Sequence, residues 1–306
     1  MRRRELLRHA AATSLTWLCG CPARSPSDGA PATGEKSDAG GSTLASYGPG
    51  ASQFGELRVP ALPSGRTPVV IVIHGGFWRA GYDLDLMERL CDVLGAVGLA
   101  TWNIEYRRVG EPGGGWPGTL LDVGAAADAL RGLAAAHPID VGRVAALGHS
   151  AGGHLALWLA ARRRLPNSAA AREIASGAQE GPLPLRGAVS LAGVLDLIQA
   201  QSLGLGAGAV AELLGGSPEA YPDRYVAASP RALLPLGVGQ ALVDGRDDAI
   251  VPASLGDAYA QAARQAGDAV SVTNLEDIGH FEPIDPASSA WPAVRDATLA
   301  MVGAEM

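Results

Sequence analysis

Arg143-Val144-Ala145-Ala146-Leu147-Gly148-His149-Ser150-Ala151-Gly152-Gly153-His154 is the stretch on which the fold reading turns. An apolar β run ends in G-x-S-x-G, and a helical pattern follows from about His154 to Arg164. The five-residue pattern alone is weak in a chain with 41 glycines. Its place between strand and helix makes it specific, because a tight strand-to-helix turn lifts a serine hydroxyl above the edge of a sheet. Gly148, Gly152 and Gly153 fit a turn too crowded for a Cβ. The helix start behind Ser150 offers amide hydrogens and the positive end of a dipole.

On either side of this stretch, strands and helices alternate. Val69 to Ile73 is a continuous β-branched run, as expected of a strand buried on both faces. Leu84 to Val97 reads as a helix, Leu99 to Glu105 as a strand, and Leu120 to Ala136 as an Ala-rich helix. Further strands are expected at Gly187 to Ala192, Gln240 to Asp244 and Ser271 to Leu275, with helices at Ala253 to Ala266 and Ala290 to Val302. Such alternation predicts an α/β domain with a mainly parallel sheet covered on both faces. Residues 193–236 break the alternation and read as a small cap-like insertion. Within it, Leu203, Leu205, Leu213 and Leu214 could line a pocket or pack the insertion down, and Asp196 could meet substrate or cap a loop.

A serine hydroxyl is a poor nucleophile unless a base takes its proton and a third group holds that base in the right tautomer. The chain has six histidines, and His280, in Asp277-Ile278-Gly279-His280-Phe281, is the one C-terminal to residue 154. His9 lies at the extreme N-terminus, and His137 sits at a helix end before Pro138. His149 and His154, five apart, do not share a helical face as a metal pair would, and no H-E-x-x-H occurs. Asp247 and Asp248 both leave the strand ending at Asp244 in the order Ser, Asp, His. Either could orient His280.

His74-Gly75-Gly76-Phe77-Trp78 follows the buried strand directly. The amides of Gly76 and Phe77, with Gly75 as an alternative, can join that of Ala151 around an oxyanion. Trp78 is a candidate wall of the substrate pocket and equally a candidate for the core. His149 is a second candidate for that wall.

The N-terminal residues carry a different signal. Arg2, Arg3, Arg4 and Arg8 precede a short apolar run from Ala10 to Leu18, the charged and apolar regions of an export signal over residues 1–21. The paired arginines resemble a twin-arginine signal. Leu18-Cys19-Gly20-Cys21 resembles a lipoprotein cleavage box, with Cys21 lipidated and the chain tethered to the bacterial cell envelope. Residues 22–50 are rich in Ser, Gly, Pro, Ala and Thr and read as a disordered tether, leaving 51–306 for the globular domain. Cys91 is then left in an apolar helical stretch, as a small core residue. A formal charge of −7 with scattered basic residues excludes a phosphate-tracking surface, so nucleic acid is not an expected partner.

With these residues in place, the chain resembles the α/β-hydrolase superfamily, in its esterase and lipase branch marked by an HGG-type oxyanion motif. His74 to Trp78 is similar to the HGGxW segment of bacterial arylformamidases (kynurenine formamidases). The resemblance spans roughly residues 45–305. It implies an eight-stranded, mostly parallel sheet and a triad of Ser150, Asp248 and His280. Asp248 is preferred over Asp247 because the acid in such enzymes is followed by two residues and then Val-Pro, here Val251-Pro252. The chemistry it implies needs no metal or organic cofactor. The expected substrate is a small-molecule carboxylic ester. An amide, as cleaved by an arylformamidase or a prolyl-oligopeptidase-like peptidase, is the alternative, and a non-catalytic ligand-binding lipoprotein is the third reading. The segment Asn103, Glu105, Tyr106, Arg107 also resembles this group, and structural pairing is the role expected of it.

Overall fold

Thr67–Ile73 is buried along its whole length, and its side chains divide between two cores. Val69, Ile71 and Ile73 enter one, Val70 and Val72 the other. That division is the physical reason for an unbroken β-branched run, since a strand covered on both faces has no polar side. The structure, a computed structural model, describes residues 41–61, 65–175 and 180–303.

Eight strands form one sheet: β1 (Ser42–Ser46), β2 (Phe54–Arg58), β3 (Thr67–Ile73), β4 (Ala100–Ile104), β5 (Ile139–His149), β6 (Gly187–Leu191), β7 (Gly239–Gly245) and β8 (Val270–Leu275), in the order β1-β2-β4-β3-β5-β6-β7-β8. The β1–β2 and β2–β4 pairs are antiparallel and the others parallel. The helices are α1 (Glu88–Ala96), α2 (Gly118–Ala136), α3 (Ala151–Ala161), α4 (Ala169–Ile174), α5 (Leu197–Ser202), α6 (Ala209–Leu214), α7 (Pro222–Ala228), α8 (Ala253–Gln265) and α9 (Trp291–Val302). Leu90, Cys91 and Leu94 of α1 and Val294 and Val302 of α9 pack with Val70 and Val72. Helices α2, α3 and α8 cover the opposite face. The mainly parallel, doubly covered sheet matches the alternation of elements, and the eight-stranded α/β-hydrolase architecture is the one that the family resemblance implies.

The segment expected to be a tether through residue 50 is corrected in its last part. Ser42–Ser46 adds to the sheet edge, with Ser42 opposite Arg58 and Ser46 opposite Phe54. Main-chain hydrogen bonds hold it, with little help from side chains: Leu44 remains 72% exposed. Residues 1–40, and with them the expected signal, Cys21 and the rest of the tether, lie outside the described residues.

The cap-like insertion is built from α5, α6 and α7. Leu213 and Leu214 are buried in the main core, Leu205 packs partly buried against it and Leu203 is exposed, and none of the four lines the cavity at Ser150. Asp196 caps α5, its Oδ1 accepting the amides of Ile198 and Gln199 at 3.0 and 3.1 Å. Contacts between the insertion and loops of the main sheet include an Arg79–Glu212 pair at 2.6 Å and a hydrogen bond from the Trp116 amide to Leu213 O at 2.7 Å. Cys91 is buried, and burial pushes its thiol up to about 12. Among the described residues no helix is long and apolar enough to cross a membrane, and no group of His, Cys, Asp and Glu is placed to hold a metal ion.

Candidate active site

Ser150 stands between the end of β5 and the start of α3 with φ 55° and ψ −117°. That left-handed conformation is uncommon for a residue with a side chain and persists only where its surroundings enforce it. The Ser150 amide donates to Leu191 O on β6 at 2.8 Å, and Ser150 O accepts the His154 amide at 3.2 Å. The turn also demands a bare Cα at Gly152, where a Cβ would lie 2.1 Å from Ile73 O of the neighbouring strand.

β7 delivers the carboxylates and the turn after β8 delivers the imidazole. His280 Nδ1 lies 2.6 Å from Asp248 Oδ2, and both side chains are buried. Asp248 Oδ1 accepts the amides of Ile250 at 2.7 Å and Val251 at 2.8 Å. Burial pushes this carboxyl up, but the His280 hydrogen bond and the two amides outweigh it and hold Asp248 below its ordinary range. Asp247, its neighbour, is exposed. Of the two aspartates left open by spacing, the one separated from Val-Pro by two residues meets the histidine.

His149 braces this arrangement from below. Its Nε2 donates to His280 O at 2.8 Å, and the two rings lie 4.7 Å apart. Nδ1 therefore carries the lone pair, and it is buried with no hydrogen-bond partner among the described residues. Burial, then the charge of His280, lowers His149 to about 3, so the ring is neutral at ordinary pH.

The loop after β3 faces the serine. Gly76, Phe77 and Trp78 take φ values of 107°, 51° and 58° in succession, a turn closed by the Arg79 amide on Gly76 O at 3.0 Å. Gly75 has no room for a Cβ, which would lie 2.8 Å from His149 O and 3.1 Å from Ser150 Cβ. Trp78 does not wall the pocket. Its ring is fully buried, and its indole N–H donates to His154 Nδ1 at 3.2 Å while His154 Nε2 donates to Ala228 O at 2.9 Å. The turn sends Trp78 into the core, where its N–H must find a partner, and leaves the adjacent Phe77 toward the cavity.

Ser150, His280 and His149 open on a cavity of about 80 Å³ whose other walls are Gly76, Phe77, Tyr82, Leu86, Ile250 and Phe281. Tyr82, Leu86, Ile250 and Phe281 escaped sequence reading. Two of them carried a positional signal, Ile250 two residues after the acid and Phe281 directly after the histidine. Tyr82 and Leu86 carried none.

A serine at a strained elbow, an Asp–His pair and a glycine loop at the ends of the parallel strands β3, β5, β7 and β8 define an α/β-hydrolase. The chain belongs to the BD-FAE family, whose model matches residues 56–262. No curated protein sequence is matched. Among solved structures, the chain is similar to a truncated carbohydrate esterase from gut microbiota, at 20% identity and TM-score 0.71 over 86% of this chain and 96% of that one. It is also similar to esterase 2 of the planctomycete Thermogutta terrifontis with propionate bound, at 22% identity and TM-score 0.68 over 86% and 95% of the two chains. A third is esterase B of Lactobacillus rhamnosis inhibited by a tributyrin phosphonate, at 22% identity and TM-score 0.70 over 87% and 85%.

Proposed function

We propose that this chain is a serine hydrolase that cleaves carboxylic esters of short acyl groups through an acyl-enzyme on Ser150. The observation that carries the reading is that His280, paired with Asp248 at 2.6 Å, opens on the same small cavity as Ser150. His280 Nδ1–H donates to Asp248, which leaves the Nε2 lone pair to take the Ser150 proton. Ser150 Oγ bonds to the carbonyl carbon, and the carbonyl π pair becomes an oxyanion facing the amides of Gly76, Phe77 and Ala151. Collapse expels the alkoxide, which takes the proton from His280. Water then repeats the sequence on the acyl-enzyme. A cavity of about 80 Å³ suits an acyl chain of a few carbons, consistent with the propionate held by the Thermogutta esterase.

The test is hydrolysis of p-nitrophenyl acetate and butyrate, with N-formylkynurenine as the amide comparison, by the purified protein and Ser150→Ala. Ester turnover at least ~10³-fold above the variant is expected. Equal rates from both proteins would remove the proposal, and turnover of the amide alone would redirect it. Arg2 to Arg4 and the Leu18 to Cys21 segment support placing the enzyme outside the cytoplasm, held to the envelope by lipid on Cys21.

A further inference from the structure

β3 and β4 pair in parallel with Ile73 opposite Ile104, so the next residues, His74 and Glu105, leave the sheet side by side. His74 Nε2 lies 3.0 Å from Glu105 Oε1, and both side chains are almost wholly buried. The other ring nitrogen, Nδ1, lies 2.8 Å from Gly75 O. A carbonyl oxygen can only accept, so Nδ1 carries a proton and donates to it, while the Nε2 contact shares a second proton with the carboxylate.

Both oxygens of the Glu105 carboxylate are engaged. Glu105 Oε2 accepts the Leu84 amide at 3.2 Å, and Oε1 accepts the Tyr106 amide at 3.0 Å and faces Arg108 at 3.5 Å. Tyr106 stacks on the His74 ring at 4.3 Å and donates its hydroxyl to His74 O at 3.0 Å. Asn103 donates to Leu84 O at 2.9 Å, fixing the segment whose amide meets the carboxylate.

In a trans peptide the carbonyl and the following N–H point in opposite directions. Whatever holds Gly75 O therefore sets where the Gly76 N–H points. Gly76, at φ 107° and next to residues of positive φ, would otherwise rotate with little resistance. We infer that His74 and Glu105 form a buried clamp that fixes the Gly75–Gly76 peptide and aims the Gly76 amide at the oxyanion. Both are positioning residues, since neither lies on the reacting atoms, and the inference rests on the ester-hydrolase reading above. It gives the Asn103-Ile104-Glu105-Tyr106 segment a task beyond structural pairing.

The experiment compares His74→Asn with His74→Leu, and adds Glu105→Gln. Asn Nδ2 takes the place of His Nδ1 and can still donate to Gly75 O; Leu cannot. Leu keeps more apolar volume against Tyr106 than Asn does, so a role in packing alone predicts the opposite order of damage. Each variant is measured for kcat and KM on p-nitrophenyl acetate and for Ki of an alkyl trifluoromethyl ketone. That ketone bonds to Ser150 Oγ and places an oxyanion where the ester intermediate would.

Loss of one oxyanion donor in a serine hydrolase lowers kcat by about 10²–10³-fold. His74→Leu is expected to lose about 10²-fold in kcat with a matching rise in Ki and a KM within threefold. His74→Asn should keep at least a tenth of kcat, and Glu105→Gln should fall about 10-fold or more in kcat and Ki together. Asn worse than Leu, or kcat and Ki within twofold of wild type in folded Leu and Gln variants, overturns the clamp. Should a His74 variant fail to fold, Glu105→Gln is decisive by the same kcat and Ki criterion. A wild-type protein that neither turns over the ester nor binds the ketone would instead refute the ester-hydrolase reading itself.

Discussion

Asp248→Asn changes one atom, and the structure dictates where that atom goes. Asp248 Oδ1 already accepts two amides, from Ile250 at 2.7 Å and Val251 at 2.8 Å, while Oδ2 meets His280 Nδ1 at 2.6 Å. The new NH₂ cannot face the two amides without losing both bonds, so it occupies the Oδ2 position and points at His280. Imidazole then turns its bare Nδ1 to the amide and its Nε2–H to Ser150, and no lone pair remains to take the serine proton. Restoring the working tautomer sets two donors face to face. It forfeits a hydrogen bond to a charged group, about 1.5–3 kcal/mol, and leaves a buried donor unmet for roughly 1–3 kcal/mol more. The sum, about 2.5–6 kcal/mol, corresponds to roughly 10²–10⁴ in rate, and an aspartate-to-asparagine change in another serine triad sits near 10⁴. Measured on p-nitrophenyl acetate at pH 7, kcat should fall by about 10³–10⁴-fold with KM little changed. Asp247→Asn, on the exposed neighbour, should stay within twofold. An Asp248→Asn enzyme retaining a tenth of wild-type kcat would refute the tautomer argument and the assignment of Asp248 with it.

Ile250→Ala removes a wall of the 80 Å³ cavity, so the ratio of kcat/KM for octanoate over acetate esters should rise by roughly 10-fold, read from a p-nitrophenyl ester series; an unchanged ratio would show that the acyl chain lies elsewhere. Asp244 is raised from its ordinary 3.8 to about 7, first by burial and then by the charges of Asp257 and Asp248. Between those values only the folded chain keeps the proton, so the stability it contributes is full below about pH 4 and lost as pH climbs to about 7, on the order of 4 kcal/mol in all. Urea unfolding midpoints should therefore decline across that window in the wild type and stay flatter in Asp244→Asn. For the N-terminal segment, Cys21→Ala should move the protein from the membrane pellet to the soluble envelope fraction, and continued sedimentation with membranes would remove the lipid anchor from the proposal.

How much of this was legible in the sequence depends on how far apart the cooperating residues lie. Ser150 was visible because strand, turn and helix are contiguous, and the same local steric demand that requires Gly152 is written within three residues of the serine. His280 was reached by elimination among six histidines. The choice between Asp247 and Asp248 was carried by an offset to Val251-Pro252, and the physical basis of that offset appears only in the fold: Asp248 Oδ1 holds the Ile250 and Val251 amides, and this leaves Oδ2 free for the histidine. Trp78 shows where such reading stops. Phe77 and Trp78 are adjacent aromatics in a loop without periodicity, and two successive positive φ values, 51° and 58°, decide which faces the cavity. Strand β1 escaped for a different reason, since main-chain pairing to β2 leaves no mark on Ser42-Thr43-Leu44-Ala45-Ser46, whose one large apolar side chain points to solvent.

The His74–Glu105 pair lies between these cases. Neither residue looks unusual in its own segment, and 31 positions separate them. Yet once β3 is placed beside β4 in parallel register, the pairing of Ile73 with Ile104 makes His74 and Glu105 the next rung beyond the sheet. A buried histidine and a buried glutamate arriving there together must satisfy each other, because an unpaired charge at that depth would be far more costly than the pair. The pairing thus follows from topology plus electrostatics, without any motif. Two acceptors then compete for one imidazole, and the ring answers by binding both, which ties the charge network of the core to the Gly75–Gly76 peptide.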